Sequence, residues 1–389
     1  MFSVDMAYKS MNKYKEELCG DKVELLTTDD SHIMILADGM GSGVRANILA
    51  SMTSKILATM LLNGETIDEC LSTVVSTLPI SPENNEAYTT FTVLQVYDNG
   101  NAYLVEFGTP YTICMRGGKR FKLPKTERII EGKKIYESRF KVKNGDTYAM
   151  LSEGCFLSEI TKKYNWTLEE AMDLIEDCLK TTHAAKRLAN QIVQESCYYY
   201  YQECENDVTA AVMRVRNYHK VKLMTGPPKF KENDEAAVHE LMKGHAFRIV
   251  SGGSTAEIVA RITGNPVIPK NDPHPDPDIP PMSSIKGINL VTEGVITLNR
   301  VVEILEQYVQ NEELDDDFYL ELDKGNGATR IASRLIENCT DLDFIIGQAI
   351  NPAYQDAHLS FDLAARKQLC RRIKELMRQM GKKVTMLYY

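Results

Sequence analysis

The chain has 389 residues, 43% of them hydrophobic and 25% charged, and a formal charge of −9 at pH 7. That length exceeds what one core usually holds, so two domains are expected. The acidic balance argues against nucleic acid as a main partner, and no apolar run is long enough to span a bilayer. The nine cysteines are scattered without a Cys-x-x-Cys pair, and the seven histidines show no ligand spacing. A zinc ribbon and a disulfide frame are therefore not expected, and any metal would be held by carboxylates. The start Met1-Phe2-Ser3-Val4-Asp5 lacks the basic and apolar regions of a signal peptide, so a reduced, cytoplasmic chain is expected.

In chain order, residues 2–10 and 22–37 read as strands, the second ending in the apolar run Ile33–Leu36. Ala46 to Leu62 is apolar at helical spacing and stops at Gly64, and a second helix runs from Ile67 to Leu78. Strands follow at Tyr88–Tyr97 and Ala102–Phe107, joined by Asp98-Asn99-Gly100-Asn101, a strong hairpin signal. Thr112–Met115, Phe121–Leu123 and Asp146–Ser152 continue the β run. Helices at Leu168–Lys180 and Ala184–Glu195 precede a closing strand, Val208–Val215. This order fits an α+β sandwich, two β-sheets flanked by helix pairs, better than a doubly wound sheet.

After Arg216 strands and helices alternate: strand Val221–Thr225, helix Asp234–Met242, strand Ala246–Val250, helix Ser254–Thr263. Pro266 to Pro281 carries seven prolines and reads as an ordered loop. Strand Gly287–Thr292, helices Thr297–Tyr308 and Ala328–Glu337, strand Asp343–Gly347, helix Leu363–Met380 and strand Lys383–Tyr388 complete a smaller α/β domain with an open, mostly parallel sheet. The domains divide as 1–217 and 218–389.

The run Leu36-Ala37-Asp38-Gly39-Met40-Gly41-Ser42-Gly43 sets Asp38 where a strand gives way to a helix. A carboxylate beside a glycine carbonyl suits a hard divalent cation, and equally well an aspartate there caps the helix. Further acidic positions stand at other strand ends: Asp21 after Cys19-Gly20, Glu153 in Ser152-Glu153-Gly154, and Asn206-Asp207 ahead of Val208-Thr209. They converge if those strands are neighbours.

The succession Gly20-Asp21, Ala37-Asp38-Gly39-Met40-Gly41-x-Gly43-x-x-Ala46, Ser152-Glu153-Gly154 and Asn206-Asp207-x-Thr209, with Gly108-Thr109-Pro110, resembles the stage II sporulation protein E type phosphatases over roughly residues 1–216. These belong to the metal-dependent, 2C-type protein phosphatases. The resemblance implies two packed sheets flanked by helix pairs, and two Mn²⁺ or Mg²⁺ ions at the sandwich edge. It implies that Asp38 bridges the ions, that the Gly39 carbonyl binds one, and that Asp21 orients bound water. It further implies that Glu153 and Asn206 or Asp207 complete the sites and that the substrate is a serine/threonine phosphoprotein in bacterial signalling. The family has aspartate where Glu153 stands and a carboxylate where Asn206 stands, so the second ion's site is weakened. A catalytically weak or idle phosphatase-like regulatory protein, whose second domain binds a small anion, is the alternative.

In the second domain, small-residue turns follow several strands: Gly252-Gly253-Ser254-Thr255 at a helix start, Thr292-Glu293-Gly294, and Gly347 to Asn351. In an open α/β sheet such ends share one edge, and free N–H groups at a helix start suit an anion. Each is equally an ordinary tight turn.

Overall fold

The computed structural model describes residues 2–77, 89–110, 112–156, 166–182, 184–200, 203–270, 278–311, 314, 316–349 and 359–389. The chain separates into two compact units, Met1–Asn217 and Tyr218–Tyr389.

In the first unit, one sheet takes the order β1-β11-β10-β6-β7 and the other β2-β3-β4-β5-β9-β8. The strands are β1 (Phe2–Met11), β2 (Asp21–Thr27), β3 (Ser31–Gly39), β4 (Thr89–Tyr97), β5 (Asn101–Phe107), β6 (Ile113–Arg116), β7 (Lys119–Arg120), β8 (Thr126–Ile130), β9 (Lys133–Lys141), β10 (Asp146–Leu151) and β11 (Val208–Asn217). The helices are α1 (Gly43–Leu62), α2 (Ile67–Thr77), α3 (Leu168–Cys178) and α4 (Ala185–Tyr199). Side-chain alternation in β3 explains its unbroken apolar run. Ile33, Ile35 and Ala37 join the core shared with α1 and α2, while Met34 and Leu36 join the core between the sheets. A third core, with Ile113, Leu151 and Val212, packs the other sheet on α3 and α4. The result is four layers, helix–sheet–sheet–helix.

Two expectations need correction and one hairpin is new. Residues 22–37 are a hairpin, because Thr28 to Ser31 forms a turn in which the Ser31 N–H donates to Thr28 Oγ1 at 3.0 Å. Phe121–Leu123 carries no strand; the pairing stops at Lys119–Arg120. Thr126–Lys141, unread in the sequence, is a hairpin whose turn residues Glu131 and Gly132 both take positive φ (48° and 74°), as a two-residue type I′ turn requires.

Asp146 is fully buried and accepts from Arg116 Nε and Nη2 (2.8 Å each), the Lys143 N–H (2.8 Å) and the Tyr148 hydroxyl (2.9 Å). Arg116→Leu would strand that carboxylate without its counter-charge. It is expected to cost about 3–5 kcal/mol, read as a lower urea midpoint at unchanged slope.

In the second unit the strands are β12 (Lys220–Thr225), β13 (Phe247–Ser251), β14 (Ile268–Pro269), β15 (Ser283–Ser284), β16 (Leu290–Thr292), β17 (Asp341–Ile346) and β18 (Lys383–Tyr388), in the order β14-β15-β16-β13-β12-β17-β18. Five of them, β16 to β18 in that order, are parallel. The two short ones pair antiparallel at the edge. The expected mostly parallel sheet is thus found in part, as a mixed sheet with a parallel body: part of the proline-rich stretch, expected as loop, adds an edge strand where Pro269 is tolerated. Helices α7 (Val295–Gln310), α9 (Gly327–Glu337) and α10 (Leu359–Gln379) cover one face. Helices α5 (Asp234–Met242) and α6 (Gly253–Thr263) cover the other, and α8 (Asp316–Leu322) packs against α9. No helix among the described residues is long and apolar enough to cross a membrane.

Candidate functional site

The β2–β3 register sets Asp21 directly opposite Asp38. On β2, Val23 and Leu25 face the core between the sheets, and on β3 Met34 and Leu36 do. Period two therefore points both aspartates to that side, at the end of the strands. Gly39 has no room for a side chain: a Cβ there would lie 2.3 Å from the Ala46 carbonyl oxygen, so glycine lets the first turn of α1 pack on the strand end. Asp38 does not cap α1, whose N-cap position is Ser42. Instead its Oδ2 accepts the Glu153 N–H from the opposite sheet at 3.1 Å.

The second arm comes from the ends of β10 and β11. Gly154 packs so closely that a Cβ would meet the Asp207 carbonyl at 2.0 Å, and the Thr209 N–H donates to Ser152 Oγ at 2.9 Å. Glu153 is exposed, Asn206 half-buried and Asp207 buried. Asp207 is already engaged: its carboxylate accepts the N–H groups of Lys13 (3.0 Å) and Gly20 (2.9 Å), anchoring the segment ahead of β2.

Asp21, Asp38, Glu153, Asn206 and Asp207 all line one cavity of about 950 Å³. A cavity of similar volume, about 920 Å³, lies at the far end of the same strands beside Thr28–Ser31, and the sequence-predicted site residues do not line it. The carboxylate cavity has walls that sequence reasoning missed: Thr89 and Thr90 at the start of β4, and Glu131 to Lys134 on the β8–β9 hairpin. The available signal was Glu131-Gly132 between Ile129-Ile130 and Ile135, a weaker turn cue than Asn-Gly.

The cavity floor is electrostatically unfavourable as it stands. Burial, and then the charge of Asp38, raises the Asp21 carboxyl well above its ordinary range. Burial also pushes Asp38 up to about 6 against the pull of the Glu153 N–H, with Glu153 and Asp207 adding to the rise. Burial and the charges of Asp21 and Asp207 push the Cys19 thiol up to about 12. Asp21 Oδ2 is buried and has no hydrogen-bond partner. Opposed like charges and an orphaned carboxylate oxygen are what a bound cation would resolve, so Asp21 and Asp38 fit a divalent ion, whereas Gly39 is not among the residues lining the cavity. Among the described residues no group of three or more His, Cys, Asp or Glu side chains stands ready to hold a metal.

In the second unit the predicted turns do meet at one sheet edge, but they hold one another. The Gly252 N–H donates to the Thr292 carbonyl (2.8 Å), Ser251 Oγ to the Glu293 carbonyl (2.8 Å), and the Gly226 N–H to Thr255 Oγ1 (2.9 Å). Ser254 lies in the first turn of α6. The Glu293 carboxylate lies 3.4 Å from where a Gly253 Cβ would stand, putting negative charge at the start of α6. An anion there would be repelled, so the expected small-anion site is not supported. Asn351 lies outside the described residues.

Residues 28–216 match the family model described as Stage II sporulation protein E (SpoIIE). No curated protein matches the chain. Among solved structures, the PP2C phosphatase domain with a fragment of the regulatory domain of SpoIIE from Bacillus subtilis is 20% identical, with a TM-score of 0.49. The match covers 55% of this chain and 64% of that one. RsbX in complex with magnesium is 16% identical (TM-score 0.40, 55% of this chain, 100% of that chain). A serine/threonine phosphatase from S. agalactiae is 14% identical (TM-score 0.41, 55% and 99%).

Proposed function

We propose, given that residues 28–216 form a SpoIIE-type phosphatase domain, that the chain is a metal-dependent serine/threonine phosphoprotein phosphatase of bacterial signalling. The observation supporting this most directly is the buried opposition of Asp21 and Asp38 beneath an open cavity. In this reading residues 1–217 are the phosphatase domain and residues 218–389 a separate α/β domain.

Asp38 and Asp21 would hold one Mn²⁺ or Mg²⁺, and Glu153 with Asn206 or Asp207 the more weakly held second. Bound there, a divalent ion supplies an acidified water as nucleophile and offsets phosphoryl charge. The chain's own contribution is orientation. The Glu153 N–H fixes one Asp38 oxygen across the two sheets. Asp21, opposite Asp38 in the strand register, would orient water held in the cavity. No cysteine chemistry is required.

Hydrolysis of para-nitrophenyl phosphate is the test. Turnover is expected with Mn²⁺ and, more weakly, Mg²⁺, and is lost with EDTA. Absence of turnover with every divalent ion would leave the idle, regulatory alternative.

A further inference from the structure

We propose that Lys134 recognises an anionic side chain on the substrate, about two or three residues from the phosphorylated one along an extended peptide. The inference rests on the phosphatase reading above and names the substrate class that the same cavity selects.

The β-sheet register carries the argument. Asp21 opposes Asp38 and Asp38 opposes Thr90. Past the Phe91–Phe107 pair the chain leaves β5 at Gly108 (φ 70°), which packs against Thr90, and Lys134 stands two residues before Tyr136, the partner of Glu106, on the same face of β9. Asp21, Asp38, Thr90, Gly108 and Lys134 all line the cavity, in the strand order β2-β3-β4-β5-β9. The cavity thus has carboxylates at one end and an ammonium at the other. From Asp38 to Lys134 there are three strand spacings, roughly 14 Å, which an extended chain covers in about four residues; the reach of the lysine side chain shortens this.

The neighbouring Lys133 has a different role. It shares the helix-facing side of β9 with Ile135 and donates to the Val75 carbonyl in the last turn of α2 at 2.6 Å. Lys134 is exposed and meets Glu127 at 3.2 Å in an ion pair open to solvent, which a bound anion can replace at little cost. Among the described lining residues Lys133 and Lys134 supply the positive charge, and the acidic ones are Asp21, Asp38, Glu131, Glu153 and Asp207. An anionic substrate residue therefore finds its counter-charge at the end where Lys134 stands.

The test compares phosphoserine peptides carrying Asp, a second phosphoserine, Lys or Ala at the third position from the reacting residue, with Mn²⁺ present. Wild type is expected to prefer the Asp or phosphoserine peptide over the Ala peptide by about tenfold in kcat/KM, and the two anionic peptides show which anion fits better. Lys134→Gln is expected to abolish that preference, Lys134→Arg to keep it, and Lys134→Glu to turn it towards the Lys peptide. The same peptides, fluorescently labelled, are titrated by anisotropy, which needs no turnover. Hydrolysis without any flanking preference overturns this inference and leaves the phosphatase reading standing. Binding with a Lys134-dependent preference but no hydrolysis does the reverse.

Discussion

Asp38→Asn is expected to lower metal-dependent phosphate hydrolysis by at least about a thousandfold, roughly 4 kcal/mol of transition-state stabilisation, and to make the metal-free protein more stable. The two effects have one cause. Asp38 faces Asp21 across the β2–β3 ladder in a buried setting, and like charges so placed repel. Asparagine keeps an oxygen for the Glu153 N–H but removes one of the two charges. A relief of about 1 kcal/mol would raise the melting temperature of a unit this size by about 2–4 °C. Manganese should stabilise wild type and leave the variant almost unmoved, because the ion binds the folded state through the lost charge. Thermal melts with EDTA and with Mn²⁺, alongside aryl phosphate turnover, read all three. A variant that loses activity and stability together would make Asp38 a structural residue instead.

Gly39→Ala is expected to cost about 3 kcal/mol of stability, the upper end for overpacking, and so to lower the melting temperature by about 6–12 °C. The added methyl would meet the backbone of Ala46 at 2.3 Å, and backbone in the first turn of a packed helix cannot swing aside as a side chain can. Relief requires α1 to lift from the strand end, which displaces the Asp38 loop with it. Activity is therefore expected to fall too. Differential scanning calorimetry separates this from a catalytic lesion, since Asp38→Asn moves stability the opposite way.

How far the site is legible in the sequence depends on how local each contact is. Asp38 and Gly39 announce themselves because an apolar strand, the aspartate and the glycines are contiguous. The meeting of Asp21 with Asp38 is less legible. Reading residues 22–37 as one strand puts the two aspartates 17 positions apart along it, roughly 56 Å, whereas the turn at Thr28–Ser31 folds them into opposition. That turn lacks glycine and asparagine, and it is held by the Thr28 hydroxyl, a weaker sequence signal. The engagement of Asp207 with Lys13 and Gly20 spans nearly the whole first unit, so no local pattern carries it. The same holds for Lys134, whose relation to Asp38 exists only through the register of four strands. In the second unit the turns were legible as turns. What they do to one another, with Glu293 set against Gly253, required the sheet order.

The first unit closes by pairing its first strand with its last, Phe2 with Asn217 through Met11 with Val208. On the ribosome β1 therefore emerges roughly 200 residues before its partner, a wait of about 10–40 s at ordinary rates of synthesis. Throughout that interval its hydrogen-bonding edge is open to other chains. Residues 12–20, which connect β1 to β2 and take two of their amide anchors from Asp207, wait with it. Acquisition of the acidic site during synthesis is thus a late event, timed by the emergence of residues 206–217 rather than by the aspartates themselves. A nascent chain stalled before that point would carry Asp21 and Asp38 but not the strand that fixes the surroundings in which they act.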